Sequence, residues 1–504
     1  MRTIVFACGI ALLCASRVAV ADDNGHFVDR RGTTRPFAPE YGAWFKARRP
    51  DYLRAAGEAL LLTGLGTAYY WLDPLSNATD WDDPTLGEKL SGEAVTFDNN
   101  LQSTNFILHP IAGATVYGFS RLSGLAVYAS FGYGVASSLV WEYLLEWREM
   151  VSVNDLVFTS FGGVALGEFL FHMGEYASSA PWNTRFSNQL AAYTLGGPHK
   201  LHAGTQARYP TTDLPPDSLG FSSAYWHRFA LGYGFGAMQN DDRRSANVHA
   251  INLGAELVAM PGFLRPGDFE IEFDEGNFTE GGIRLLLDED GLAEADGRVA
   301  AVLVGYFSNQ FGPSEGSAKM IGVSTELRYY DSWRLGRRDG FAFIHLPGPT
   351  VGLWARTDKI GVQARSSGSV DFAAIYPVAF EPWAARFGTA GVKSVLAKEN
   401  YVYAFCGSTR NQVSASIGPF GLGGNADFAL CRSIQGLDRA QALVSRDVPS
   451  TDLVLELGAF VSAPKLGPFE LRLEADELRR RGSMGRVEAE RVDRRISGAL
   501  DYVF

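Results

Sequence analysis

The chain changes its hydrophobic period once. From about residue 51 to 180, apolar positions recur at helical spacing; from about 221 to the end they alternate. The helical pattern covers YLRAAGEALLLTGLGTAYYWL (52–72) and then 110–121, 125–149 and 153–177. Arg54 and Glu58 stand at the spacing of a helix-surface ion pair. Residues 73–103 read as a loop from their Pro, Asp and Gly content. In the second half, FEIEFDE (269–275) sets Phe269, Ile271 and Phe273 against Glu270, Glu272 and Asp274. FELRLEAD (469–476) opposes Phe469, Leu471 and Leu473 to Glu470, Arg472 and Glu474. DLVLELGAFV (452–461), YWHRFALGYGF (225–235) and INLGAELVA (251–259) alternate in the same way.

Alternation alone also fits a soluble sandwich with one wet face. Here one strand face takes full charges and the other takes large apolar groups. The runs are near ~10 residues, the length of a tilted membrane strand. The chain ends on RISGALDYVF, with Ile496, Gly498, Leu500, Tyr502 and Phe504 on one face. That ending resembles the closing strand of Gram-negative outer-membrane barrels, whose terminal aromatic is read by the assembly machinery. The pattern predicts an α+β protein: an N-terminal helical domain followed by an antiparallel transmembrane β-barrel of about 12 strands, with 10 or 14 fitting as well. The inward charges imply a polar lumen. The helices are broken by charge and glycine, which lets an exported chain carry them past the inner membrane. They are expected to pack on each other in the periplasm below the barrel or inside its lumen.

Composition sharpens this. A chain of 504 residues has room for two regions. Mean hydropathy is −0.04, which argues against many lipid-facing helices, whereas a barrel hides its membrane face in alternation. The net charge of −11 gives no reason to expect nucleic-acid binding. Arg2, an apolar run and Ala19-Val20-Ala21 form an export signal cleaved before Asp22. The predicted organisation is signal peptide 1–21, extended periplasmic lead-in 22–50, helical domain 51–180, linker 181–220 and barrel 221–504. Cys406 and Cys431 flank the turn at 417–421 about symmetrically. In the oxidising exported compartment a cross-strand disulfide is expected, and two reduced cysteines in adjacent strands are the plainer alternative. Two thiols without a neighbouring histidine do not make a zinc site.

Candidate chemistry is confined to the helical half. Ser152 and Asp155 have the spacing of a capping box at a helix start. Gly163 and Gly167, four apart, allow close helix approach in a tight hairpin. Glu142 and Glu146 share a helix face, where like charges repel. Glu168, His172 and Glu175 form a second stripe, and Asn105 and His109 stand just before Pro110. If the two helices pack antiparallel, Glu142 or Glu146 meets Glu168 and His172 in one buried cluster. Buried charges must be paired, protonated or metal-bound. Two readings stay open: a structural network at helix ends, or acid/base groups at Glu142, Glu146, Glu168, His109 and His172 with Asn105, Asn154 and Asp155 binding. No metal or cofactor is assigned, because three candidate ligands on one helix make no site. No Ser-His-Asp order, phosphate loop or zinc-protease motif is present, and GYGFG (232–236) reads as a glycine–aromatic strand.

The blocks FDNN (97–100), NFILHP (105–110), WEYLLE (141–146), SVNDLV (152–157) and GGVALGE (162–168), with Gly113 and Tyr117, resemble an uncharacterised group of Gram-negative outer-membrane proteins filed as a domain of unknown function. The resemblance implies an outer-membrane address and the polar set Asn105, His109, Glu142, Glu146, Asn154, Asp155 and Glu168, but no established reaction. The order E-x3-E, S-x-x-D-L, G-x3-G is also similar to VanZ-like membrane proteins, from which the signal and the long strand-rich half depart. Three functions follow as expectations. The first is a non-enzymatic outer-membrane barrel with a helical plug or periplasmic domain, gating a small solute or lipid or serving envelope structure. The second is an envelope-lipid-modifying enzyme. The third is an inner-membrane helical protein. The expected partners are outer-membrane lipids and, through the strand ending at Phe504, the assembly machinery.

Overall fold

A computed structural model describes residues 49–72, 81–179, 186–203, 217, 219–222, 225–260, 262–463 and 468–503, with two short paired strands, His26–Val28 and Thr34–Pro36, in the lead-in. The expected signal peptide and Phe504 lie outside the described residues. Alternating residues build a closed ring of twelve antiparallel strands. In chain order these are β1 (Trp226–Asn240), β2 (Ser245–Val258), β3 (Phe278–Asp288), β4 (Gly291–Phe311), β5 (Gly316–Arg334) and β6 (Arg337–Arg356). They continue with β7 (Ile360–Ile375), β8 (Val402–Ile417), β9 (Phe420–Ser433), β10 (Ser450–Ser462), β11 (Phe469–Met484) and β12 (Val487–Val503). The ring closes where β12 pairs with β1, setting Leu500 beside Tyr233. Full closure leaves no unpaired edge.

The chain enters and leaves the ring at one rim, here the near rim; the opposite rim is the far rim. On β12, Ile496, Leu500 and Tyr502 are exposed, whereas Arg495, Ser497, Ala499 and Asp501 are buried in the lumen. FEIEFDE does form a strand, Gly267–Phe273, but it stays outside the ring and pairs with the near-rim end of β4. The segment carrying it turns into the near-rim mouth, where Met260 and Phe263 pack on Phe278, Val302, Phe307, Met320 and Trp354. At the far rim the β7–β8 connection folds inward. Its Phe380, Trp383 and Leu396 pack on Met484, Val487 and Ala489. Cys406 and Cys431 are directly opposite and disulfide-bonded, with Cα atoms 4.0 Å apart.

The helical half contains α1 (Tyr52–Leu72), α2 (Leu86–Ser91), α3 (His109–Leu122), α4 (Val127–Val140), α5 (Val153–Val157) and α6 (Gly163–Ser178). Single π-helical turns precede α3, follow α4 and join α5 to α6, so that Val153–Ser178 is one continuous helix. By length and composition it is apolar enough to cross a membrane. Where a loop was expected, α2 forms because Thr85 and Glu88 make a reciprocal capping box. The expected linker also holds two helices, α7 (Phe186–Thr194) and α8 (Gly197–Ala203), which meet α6 through Ala191 and His199 while Phe186, Leu190, Tyr193 and Leu201 stay exposed.

The helices lie neither below the barrel nor in its lumen. They pack on the outer face of its wall. Phe106, Phe158 and Ala165 bury themselves against Leu327, Ala342, Ile344, Phe372, Ala374 and Tyr403. These wall residues alternate with the lumen-facing Arg328, Phe341, Phe343, Asp371, Ala373 and Ala404. Nearer the other rim, Tyr176 covers Leu257, and the Phe169 ring occupies the space beside Gly281. The physical reason is that the outward wall is apolar, as a helix face requires, while the inward wall is charged.

Candidate functional site

Most of the polar residues singled out in the sequence gather where this helical layer meets the far-rim end of the wall. Asp98 is the hub. Its Oδ1 accepts from Asn105 Nδ2 at 3.0 Å, Asn154 Nδ2 at 2.8 Å and Tyr403 OH at 2.9 Å. Its backbone N–H donates to Asn154 Oδ1. Asn105 Nδ2 also reaches Tyr401 OH and Tyr403 OH, two tyrosines at the far-rim start of β8. His109 Nε2 lies 3.2 Å from Asp155 Oδ1, which also accepts from Asn154. Asp98, Asn105, Asn154 and Asp155 are all buried. The π turns shape the site, because Asn105 and Glu142 sit within two of them and re-aim off the regular helical spiral.

The capping box is shared differently from the sequence expectation. Ser152 Oγ accepts from the Asp155 N–H as expected. The Ser152 N–H, however, donates to Glu142 Oε2 at 2.8 Å, freeing Asp155 for His109. Glu142 thus acquires the structural role that Asp155 was given. Lys89 is buried and donates to the carbonyls of Glu142 and Glu146 at 2.7 and 2.8 Å. An ammonium at the carbonyl end of a helix is favourably placed. Burial holds the Lys89 ammonium below its usual pKa, opposed by Glu142, Glu146 and Glu149. Glu146 lies in the turn beyond the helix, where burial and then Glu149 push it up to about 8.

Glu168 and His172 do not join this group. α3 and α6 run parallel, Gly113 against Gly163 and Tyr117 against Gly167, so the paired glycines serve α3 rather than the WEYLLE helix. A Cβ on Gly113 would lie 1.8 Å from the Thr159 carbonyl oxygen. This parallel course carries Glu168 towards the near rim. There it meets Arg121 at 3.1 Å, His172 at 3.0 Å and Tyr117 at 2.5 Å. His172 also contacts the Glu275 carbonyl. The single cluster expected from an antiparallel hairpin is therefore two separate networks.

Asp98, Lys89, Arg121, Tyr401 and Tyr403 were not singled out in the sequence. Asp98 sits inside the FDNN block. Tyr401 and Tyr403, two apart at the start of β8, read as ordinary outward aromatics. Among the described residues, no group of His, Cys, Asp and Glu side chains is arranged to hold a metal ion.

The lumen holds a third arrangement. Arg298 on β4 meets Asp427 on β9 at 2.7 Å, and Arg328 on β5 meets Glu456 on β10 at 2.6 Å. Arg365 on β7 and Arg410 on β8 both bind Glu280 on β3, at 2.8 and 2.5 Å. Arg480 on β11, fully buried, pairs with Asp339 on β6. Each pair crosses the lumen between strands four or five apart in the ring of twelve. Between these pairs and the near-rim plug lies a cavity of about 60 Å³, lined by Glu256, Glu280, Glu326, His345, Arg365 and Arg410 among others.

A closed antiparallel barrel with an apolar exterior and a helical domain on its wall defines the class of fold. Residues 94–198 match a family model described as "Domain of unknown function (DUF3943)". That segment contains every polar residue of the two helical networks except Lys89, Tyr401, Tyr403 and Glu275. Solved structures similar to this chain include the outer membrane channel DcaP of Acinetobacter baumannii, at 11% identity over 58% of this chain and 100% of that one, with a TM-score of 0.23. A Pseudomonas aeruginosa FadL homologue is similar at 8% identity, over 57% of this chain and 92% of that one, with a TM-score of 0.23. Pseudomonas aeruginosa OccD3 (OpdP) is similar at 6% identity, over 55% and 91%, with a TM-score of 0.18. No curated protein matches this chain, and the likeness to VanZ-like proteins has no counterpart among these matches.

Proposed function

We propose that the protein is an outer-membrane barrel that conducts no solute and serves envelope structure, carrying a helical domain fastened to its outer wall. The observation that carries this reading is the set of ion pairs joining strands across the lumen, from Arg298–Asp427 to Arg480–Asp339. They hold the lumen shut between the near-rim plug around Phe263 and the far-rim cap around Trp383. The outer-membrane address is supported by the apolar outward belt, with Leu231, Leu253, Ile321, Leu353 and Leu473 all exposed. A closed barrel is one of the few ways for strands to satisfy their backbone in lipid. The helical plug of the first expectation is replaced by this wall-mounted domain. Purified protein in planar bilayers tests the reading: it predicts a silent membrane, and steady conductance from the intact protein overturns it.

A second reading has its own observation. Asp98, Asn105, His109, Glu142, Asn154 and Asp155 converge at the seam between helices and wall, where an envelope lipid headgroup could meet paired acids and a histidine. An envelope-lipid-modifying enzyme would use them for proton transfer. Asp98→Asn and Glu142→Gln would then change the cell's lipid profile at unaltered barrel abundance, and unchanged lipids reject it.

A further inference from the structure

We propose that the helical layer is immersed in the bilayer beside the barrel, so that lipid acyl chains cover the outward faces of α1 and α4. The inference rests on the reading of the barrel as a membrane protein.

α1 is inside out for a helix in water. Its exposed positions from Leu53 onward are Leu53, Gly57, Leu60, Leu61, Gly64, Leu65, Ala68, Tyr69 and Leu72, and none is charged. Leu60, Leu61 and Leu65 are 69%, 62% and 60% exposed, a contiguous apolar face of the kind that marks an interaction or membrane surface. Its polar groups point to the protein instead. Arg54 pairs with Glu58 at 2.8 Å, Glu58 with His202 at 3.1 Å, and Thr63 Oγ1 bonds Ser137 Oγ at 2.8 Å. α4 repeats the arrangement, exposing Tyr128, Gly132, Ala136 and Leu139 and burying Ser130 and Ser138.

Three observations favour lipid over a protein partner. First, the strands that carry the layer through Leu327 and Ile344 stay apolar where it leaves them bare, with Ile321 59% and Leu353 57% exposed. Second, the 21 residues of α1 give a length of about 31 Å, close to the thickness of a bilayer core. Third, interfacial side chains mark the far-rim end. The Arg148 guanidinium lies 3.8 Å over Trp81 and 4.8 Å over Trp147, Trp71 stacks on Trp147, and on the barrel Arg338 lies over Trp333. α1, α3 and α6 carry charges among their apolar residues. Only the assembled layer pairs them inside and turns its apolar face outward.

The test attaches nitroxide spin labels to Leu61→Cys, Leu65→Cys and, on the barrel belt, Leu353→Cys. The protein is reconstituted in phosphatidylethanolamine/phosphatidylglycerol vesicles, and collision with oxygen is compared with collision with a water-soluble nickel chelate. All three sites are exposed, so the labels leave the fold intact. Labels at 61 and 65 should favour oxygen as strongly as the label at 353. Nickel-accessible labels at 61 and 65 beside an oxygen-favouring label at 353 overturn the inference, as do labels shielded from both, which mean a protein partner or second copy covers the face. A nickel-accessible label at 353 overturns the membrane barrel itself.

Discussion

Arg298 and Asp427 meet at 2.7 Å across the lumen, from strands five apart in the ring of twelve. Arg298 also holds Glu326 at 2.9 Å, and Arg328 completes the tier through Asp296 and Glu456. Removing one partner of a buried pair leaves the other uncompensated, at a cost of about 3–5 kcal/mol. In the Arg298→Ala/Arg328→Ala variant, Asp427 and Glu456 lose their cations together, while Asp296 keeps Arg284. That variant should show small cation-selective conductance in planar bilayers where the parent is silent, provided that it still shows the heat-dependent gel shift of a folded barrel.

Asp98 fastens the helical domain to the wall. Asp98→Ala removes the acceptor shared by Asn105, Asn154 and Tyr403, leaving Asn105 only the two tyrosine hydroxyls and Asn154 only Asp155, with a cost of about 1–3 kcal/mol for a buried donor left unsatisfied. The helical half should become sensitive to limited proteolysis while the barrel stays resistant. Asp98→Asn keeps one oxygen acceptor and should be milder. Equal loss of both halves would contradict a seam role.

Gly113 sets the distance between α3 and α6. Gly113→Leu cannot be accommodated beside the Thr159 carbonyl, so the helices must separate. Overpacking costs about 1–3 kcal/mol even in forgiving sites. The thermal transition of the helical signal should fall by several degrees with the barrel transition unmoved. At Gly118, which has open space around it, the same substitution should change little.

Glu146 makes stability depend on pH. Its folded pKa of about 8 lies above the unfolded value near 4.3, so between those values the folded state holds a proton that the unfolded state releases. Stability of the helical domain should therefore fall as pH rises from about 4.3 to about 8. Glu146→Gln should flatten that slope in denaturant titrations. An unchanged slope would show that Glu146 is not the group responsible.

Strand alternation, the size of the ring, the Ser152 cap and the Cys406–Cys431 pairing were all readable because each depends on residues near in sequence or on one hairpin. The side of the wall that receives the helices was not readable. Ile344 and Phe372 look alike whether lipid or a helix covers them, since both present hydrocarbon. The cross-lumen pairs were hidden for a different reason. Alternation shows that Arg298 and Asp427 point inward, but their partnership depends on barrel closure between residues 129 positions apart. Asp98 was missed because a lone acid in a polar block reads as solvated until its donors arrive from two other segments and a strand.

The wall-mounted helical domain is tested most directly at two neighbouring positions on β6. Ile344 faces outward and touches the space of Gly162 and Pro110, while Phe343 faces the lumen beside Ala373 and Cys406. A photoreactive benzophenone amino acid placed at Ile344 should cross-link to peptides of the helical domain on illumination, and the same group at Phe343 should not. Cross-linking to the helices from 343 and not from 344 would put the domain in the lumen and contradict the account.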